Sequence, residues 1–219
     1  MTIATYADLQ NAVGTWLARA DLAANIPDFI TLAESRIFYG SDDPNFPSPP
    51  LRIRAMEQVT DPALYTTTAG VPTLALPNGF LEARAVSLAT VPIADLDFVT
   101  QKQLNAAWVG TANGRPQVYT FQGDNLRFGP TPDAAYGVTL AYYQRFDPLA
   151  QTPTNWLIVN APGVYLYAAL IEAQPFIMSD QRLPLWAGMF AAATRSLMVA
   201  DQQDRWGGQM VMRSDTGNP

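Results

Sequence analysis

Cysteine and histidine are both missing from this chain of 219 residues, and Lys102 is its single lysine. Without cysteine there is no disulfide, no thiolate nucleophile, no zinc–thiolate site and no iron–sulfur cluster. Without histidine the commonest general base near neutral pH is gone, as is the commonest transition-metal ligand. Every catalytic triad or dyad built on His is ruled out. Lys102 leaves one candidate for Schiff-base chemistry and sits in no phosphate-loop context. The remaining catalytic repertoire is carboxylates, Tyr, Ser, Thr and Arg. No cofactor is expected, and the composition points to binding rather than bond making.

Charge is also scarce. Charged residues are 15% of the chain, against about 25% in an average soluble domain. A free-standing monomer usually needs more charge to cover its surface, so part of this surface is expected to be covered by neighbours. The cations are twelve Arg and one Lys. Guanidinium is weakly hydrated and forks onto carboxylates, which enriches Arg and depletes Lys at interfaces; genomic GC bias makes the same exchange. No basic run is present and the net charge is −6, so tight binding to a phosphate backbone is not expected.

No stretch reaches the ~18 uninterrupted apolar residues of a membrane span, and no membrane partner is expected. The opening Met1-Thr2-Ile3-Ala4-Thr5-Tyr6 has no basic segment and no long apolar core. The expectation is a chain without a signal peptide, made and kept in the cytoplasm.

What is present is apolar: 48% hydrophobic and 11% aromatic residues, enough to bury a sizeable core in one or two domains. The pattern reads as helices, then a strand-rich middle, then helices. Thr5 caps a helix over residues 6–19, with Asp8 as the capping-box acid. Tyr6, Leu9, Val13, Trp16 and Leu17 share its apolar face. Pro27 suits the first position of a second helix, whose buried stripe is Phe29, Ile30, Ala33 and Ile37. Four prolines between Gly40 and Pro50 mark an extended loop.

Period two then takes over. Residues 51–56 alternate like a strand. Residues 73–76 lead into a Pro77-Asn78-Gly79 turn and a strand from Phe80 to Leu88. Residues 100–108 suit a short helix. Residues 118–122 and 125–128 flank Gly123-Asp124 as a hairpin, and residues 138–143 form a strong strand. A third helix is expected near Asn160, capped by that residue. Val164 to Ile171 is apolar on every side, so that helix should be surrounded by others. A fourth helix, capped by Ser179 or Asp180, carries Leu183, Trp186, Phe190, Ala193, Leu197 and Ala200 at three-four spacing. Gly207-Gly208 stops it.

The predicted fold class is α+β: a four-helix bundle formed by both chain ends, with a β-rich insertion between helices two and three. The divisions are 1–46 and 151–207 for the bundle, 47–150 for the insertion and 208–219 for a flexible tail.

Candidate sites are few. Asp95 and Asp97 would share a face on one strand, and Glu57, Asp61 and Glu82 are further acids of the middle region. A glycosidase needs two carboxyls converging within about 10 Å, and no spacing here demands that. Trp108, Tyr142, Tyr143, Trp156 and Trp186 suit a sugar-stacking platform, but more often such residues anchor cores and interfaces. Gly110 and Gly114 lack the lysine and helix of a phosphate loop. Trp206, Met210, Val211 and Met212 form a short apolar motif in the tail that a partner can capture.

The order of short motifs resembles the head–tail adaptor (connector) proteins of tailed bacteriophages. They are Tyr6-Ala7-Asp8-Leu9, Trp16-Leu17, Ile26-Pro27-x-Phe29-Ile30, Phe80-Leu81-Glu82-Ala83-Arg84 and Arg115-Pro116. Further along come Pro130-x-Pro132-Asp133, Leu140-x-Tyr142-Tyr143, Asn155-Trp156-Leu157 and Ala161-Pro162-x-x-Tyr165-Leu166-Tyr167. The resemblance implies a virion structural protein that is not an enzyme. It implies a ring, typically of twelve copies, seated in the neck under the portal, with a tail or nozzle protein below. Such a ring continues the DNA channel and touches passing DNA without sequence-specific binding. It also implies that the segment after Trp206 grips the portal. Candidate interface residues are then Arg195, Arg205, Trp206, Met210, Val211, Met212 and Arg213, with Tyr142 and Tyr143. The alternatives are a carbohydrate-active virion enzyme, a glycan-binding virion module and a tail-completion protein.

Overall fold

The computed structural model describes residues 2–108, 110, 112–177 and 181–205. They fall into two compact units. One takes both chain ends, up to Arg54 and from Pro148 onward, and is helical. The other, Ala55–Asp147, holds the sheets.

In the helical unit, α1 spans Tyr6–Leu17 and opens with the expected capping box. The Thr5 hydroxyl accepts from the Asp8 amide at 3.2 Å and the Asp8 carboxylate accepts from the Thr5 amide at 3.1 Å. Two of the helix's orphan donors are thereby satisfied. The Thr5 hydroxyl, with the Ala4 amide, also holds the Asp8 carboxyl below its usual range. Helix α2 spans Ile26–Tyr39 with Pro27 in its first turn. It ends at Gly40, whose φ is +79°; a Cβ there would also come within 2.8 Å of the Ser48 carbonyl oxygen. Both facts require glycine.

Residues 51–56 are not a strand. Leu51 and Ile53 are buried at period two, but in an irregular stretch fastened to the end of α2, and Arg54–Met56 form a single 3-10 turn. The Leu51 amide donates to the Ile37 carbonyl at 2.8 Å, and Arg52 donates to the Phe38 carbonyl at 2.8 Å. The last carbonyls of a helix need such partners, and satisfying them takes precedence over pairing in a sheet.

The C-terminal part also departs from expectation at its start. A short helix α4, Trp156–Asn160, precedes the expected one; the Asn155 side-chain oxygen caps it by accepting from the Ile158 amide, and Asn160 closes it rather than capping the next helix. Helix α5, Pro162–Glu172, restarts after Ala161, which lies outside helical backbone at φ −144° and ψ 59°. The residue before a proline is pushed out of the helical region, so no helix runs through Ala161. Helix α6 is a single turn, Gln174–Ile177, and α7 runs Leu183–Arg205. The proposed caps Ser179 and Asp180 and the stop at Gly207-Gly208 lie outside the described residues.

Helix α5 is buried almost all round, through Val164, Tyr165, Leu166 and Ala168 to Ile171. It packs against α1, α2, α4, α6 and α7. This hub is what a helix without a polar face requires. The simple four-helix bundle is not shown: two short helices, α4 and α6, join the packing around α5.

In the sheet unit the strands are β1 Glu57–Val59, β2 Thr73–Ala75, β3 Phe80–Leu88, β4 Ala94–Asp95, β5 Asp97–Phe98, β6 Val118–Gln122, β7 Asn125–Gly129 and β8 Val138–Gln144, with a helix α3, Gln101–Trp108, after β5. They form two four-stranded sheets, in order β1-β8-β3-β4 and β2-β7-β6-β5. Every pairing is antiparallel except β5 with β6. Both sheets feed one core: Val86, Leu88, Val138, Leu140 and Tyr142 from the first, Tyr119, Leu126 and Phe128 from the second. The β6–β7 hairpin turns at Gly123-Asp124 as its sequence predicts, with Gln122 opposite Asn125. Gly129 permits a close approach: a Cβ there would meet Trp108 of α3 at 2.8 Å.

Candidate interaction surfaces

The acids are spread rather than gathered. Asp95 closes β4 in one sheet and Asp97 opens β5 in the other, because the chain changes sheet at the buried Leu96. They therefore do not share a strand face. Glu57 pairs with Arg84 at 2.9 Å. Asp61 accepts from the Ala63 amide at 2.9 Å and so shapes a turn. Glu82 is exposed on β3, opposite Tyr143 of β8. The Asp8 and Asp21 carboxyls are pushed down, by the Thr5 hydroxyl and by Arg19 respectively. A general acid needs the opposite shift. Among the described residues no three acids gather as a metal site would require. Gly114 lies in a loop, its amide donating to the Thr131 carbonyl at 2.8 Å.

The aromatic residues do not form a platform. Tyr142 points into the core of the sheet unit and stacks on Phe80 at 5.7 Å. Tyr143 is also buried, with the Arg84 guanidinium over its ring at 5.5 Å. Neither offers a partner much surface. Tyr65 donates its hydroxyl to the Ala75 carbonyl at 2.7 Å; burial, with Tyr142 nearby, pushes its phenol up to about 12. Trp108 packs on Gly129. Trp186 is buried in the helical unit, with the Arg182 guanidinium 4.9 Å from its ring, and Trp156 is partly exposed. These residues belong to two different units and hold each together.

Polar contacts, from part-buried to exposed, instead join the chain ends. Arg36 of α2 pairs with Glu172 of α5 and also donates to the Phe46 carbonyl at 2.8 Å. The Glu34 carboxylate accepts from the Leu149 amide at 2.8 Å, and Asp201 of α7 accepts from the Arg54 amide at 2.6 Å. Arg182 donates to the Trp16 carbonyl at 3.0 Å. Asn155 donates to the hydroxyl of Tyr165, whose phenol burial pushes up strongly.

The candidate interface residues of the C-terminal part divide in two. Arg195 is exposed on α7. Arg205 closes the helix, and Trp206, Met210, Val211, Met212 and Arg213 lie outside the described residues.

Sequence reading missed a second exposed surface, on α2. Asp28, Leu32, Ser35 and Tyr39 form one outward stripe, with Leu32 51% and Tyr39 61% exposed. Their spacing of four, three and four residues is the signal that finds it. On α7 the expected seam is buried only at first: Leu183, Trp186 and Phe190 are inside, whereas Ala200 is exposed. Its outward side carries Leu185, and then Gly188, Ala192, Arg195 and Val199, which line a shallow groove of about 600 Å³. Counting uninterrupted apolar residues also overlooked that Leu183–Gln203 is long and apolar enough, by length and composition, to cross a membrane. Part of that apolar content is core, since Trp186 and Phe190 are buried and α7 packs on α5.

A family model described as SU10 adaptor protein matches residues 4–213. No curated protein matches the chain.

Proposed function

The chain belongs to the SU10 adaptor protein family, a family of bacteriophage structural adaptors, and from that premise we propose that copies of it form the ring that joins portal to tail in the virion neck. The family match over nearly the whole chain carries this reading. The unpartnered faces of α2 and α7 support it. A closed ring is a heterologous assembly, so each copy needs two different complementary surfaces.

The mechanism is interfacial. The helical unit supplies rigid faces, held in place by α5 and the Arg36–Glu172 pair. Twelve copies is the expected ring. The portal sits on one side, gripped by the segment after Trp206, and a tail or nozzle protein on the other. A net charge of −6 suits a channel that must let DNA pass, since a wall that does not displace phosphate counterions does not hold the duplex. No observation favours a carbohydrate-directed activity.

The test is to make particles that lack the chain. DNA-filled heads without tails, restored by supplying the protein in trans, are the expected result. Normal tailed particles would overturn the proposal.

A further inference from the structure

We propose that neighbouring copies join through α2 of one and α7 of the next, laid antiparallel, with Asp28 facing Arg195. The proposal rests on the ring reading above and names the contact by which the ring closes.

Each helix buries one side against α5 and leaves the other bare. The two bare sides differ in kind. On α2 they are bulky and acidic: Leu32 and Tyr39 stand out from the surface, and Asp28 lies one turn before Leu32. On α7 the middle of that side is small and basic: Gly188, Ala192 and Arg195 line a groove, with the exposed Leu185 about three turns before Arg195. The Asp28 and Arg195 side chains make no hydrogen bond or ion pair among the described residues.

Register decides the direction. Counting forward from Asp28, Leu32 is four residues away, Ser35 seven and Tyr39 eleven. Counting backward from Arg195, Ala191 and Ala192 are four and three away, Gly188 seven and Leu185 ten. Antiparallel helices rise by the same 1.5 Å per residue, so one alignment meets every need. Asp28 faces Arg195, Leu32 enters the groove at Ala192, Ser35 crosses Gly188 and Tyr39 covers Leu185. Small residues let helix axes approach, and a ridge of large ones fills the space. Two copies of one face would leave Asp28 or Arg195 without an opposite charge across the contact. A second copy, turned to present its other face, meets both the shape and the charge.

The absence of cysteine makes the test clean. Particles are assembled with the full-length Leu32→Cys/Ala192→Cys variant and oxidised mildly, since a disulfide needs Cα atoms within about 7 Å. A ladder of covalent multimers is expected, at least about tenfold stronger than in either single variant, because only the heterologous contact brings the two cysteines together. In parallel, Asp28→Arg and Arg195→Asp should each cut incorporation into particles about tenfold, and the double exchange should restore it. The second arm stands if the cysteine pair fails to fold. A chain that is in the neck yet gives no ladder and no rescue overturns this contact alone. A chain absent from the neck overturns the adaptor reading and the contact with it.

Discussion

The two units are held together on different length scales. In the sheet unit, partners are drawn from one continuous stretch of chain: β6 and β7 meet across a two-residue turn, and both sheets close within Ala55–Asp147. In the helical unit the decisive contacts span most of the sequence. Arg36 reaches Glu172, Arg54 reaches Asp201, and Arg182 reaches Trp16. The sheet unit therefore satisfies its needs locally. The helical unit depends on both ends of the chain, and it keeps bare helix faces on α2 and α7. A fold that supports itself locally can act as a separate platform, whereas a unit clamped around one hub can be rigid while leaving its outer helices free for partners.

The sharpest way to break this contrast is to take the chain apart. Residues 55–147 expressed alone should unfold in one cooperative transition, followed by circular dichroism. Residues 148–205 alone should show no cooperative transition, because α5 would lose α1 and α2.

Side-chain deletions should then act one unit at a time. Trp186→Ala empties a buried site in the helical unit and should cost about 3–5 kcal/mol, seen in denaturant as an earlier transition of that unit only. Glu172→Ala leaves Arg36 buried without its carboxylate and should cost about 3 kcal/mol. Glu172→Gln, which keeps an acceptor, should cost less. Gly129→Ala in the sheet unit drives a methyl into Trp108 and should cost about 1–3 kcal/mol, with the helical transition unmoved.

The smallest effects come from pH. Burial raises the phenols of Tyr165 and Tyr65. A raised group contributes its full stabilisation below its unfolded value near 10 and loses it as pH climbs toward the folded value. Both units should therefore weaken above pH 10, over the interval up to about 12 for Tyr65. Tyr165→Phe should flatten the decline in the helical unit alone. Asp8 is shifted the other way, by the Thr5 hydroxyl first, so its capping contribution is present above pH 4 and fades as pH falls further. In a thermal melt at neutral pH, Thr5→Ala should cost about 1 kcal/mol and abolish part of that acid dependence.

Much of the architecture was readable because it rests on local chemistry. The capping box at Thr5, the hairpin at Gly123-Asp124, the strand over residues 138–144 and the all-apolar α5 each follow from spacing and side-chain type. So was the family, through motifs spread over both ends and the middle. The misreadings share a cause: a distant partner outranked a local pattern. Leu51 alternates like a strand residue, but its amide is taken by Ile37. Pro162 opens α5 as its position suggests, but the residue before it is Ala161, and Asn160 instead closes the short helix α4. Asp95 and Asp97 sit two apart, but the chain changes sheet between them. Tyr142 and Tyr143 are interface residues by type, but neighbouring strands and Arg84 enclose them. The α2 stripe went unnoticed because the buried stripe on the same helix drew the attention of the periodicity. The exposed side carries only two large apolar residues among polar ones.

Image reconstruction of the intact particle tests the central claim most directly. The expected result is a ring of this chain between portal and tail, with α2 of each copy against α7 of its neighbour. Density for the neck that has no place for these helices, in a particle that contains the protein elsewhere or not at all, would contradict it.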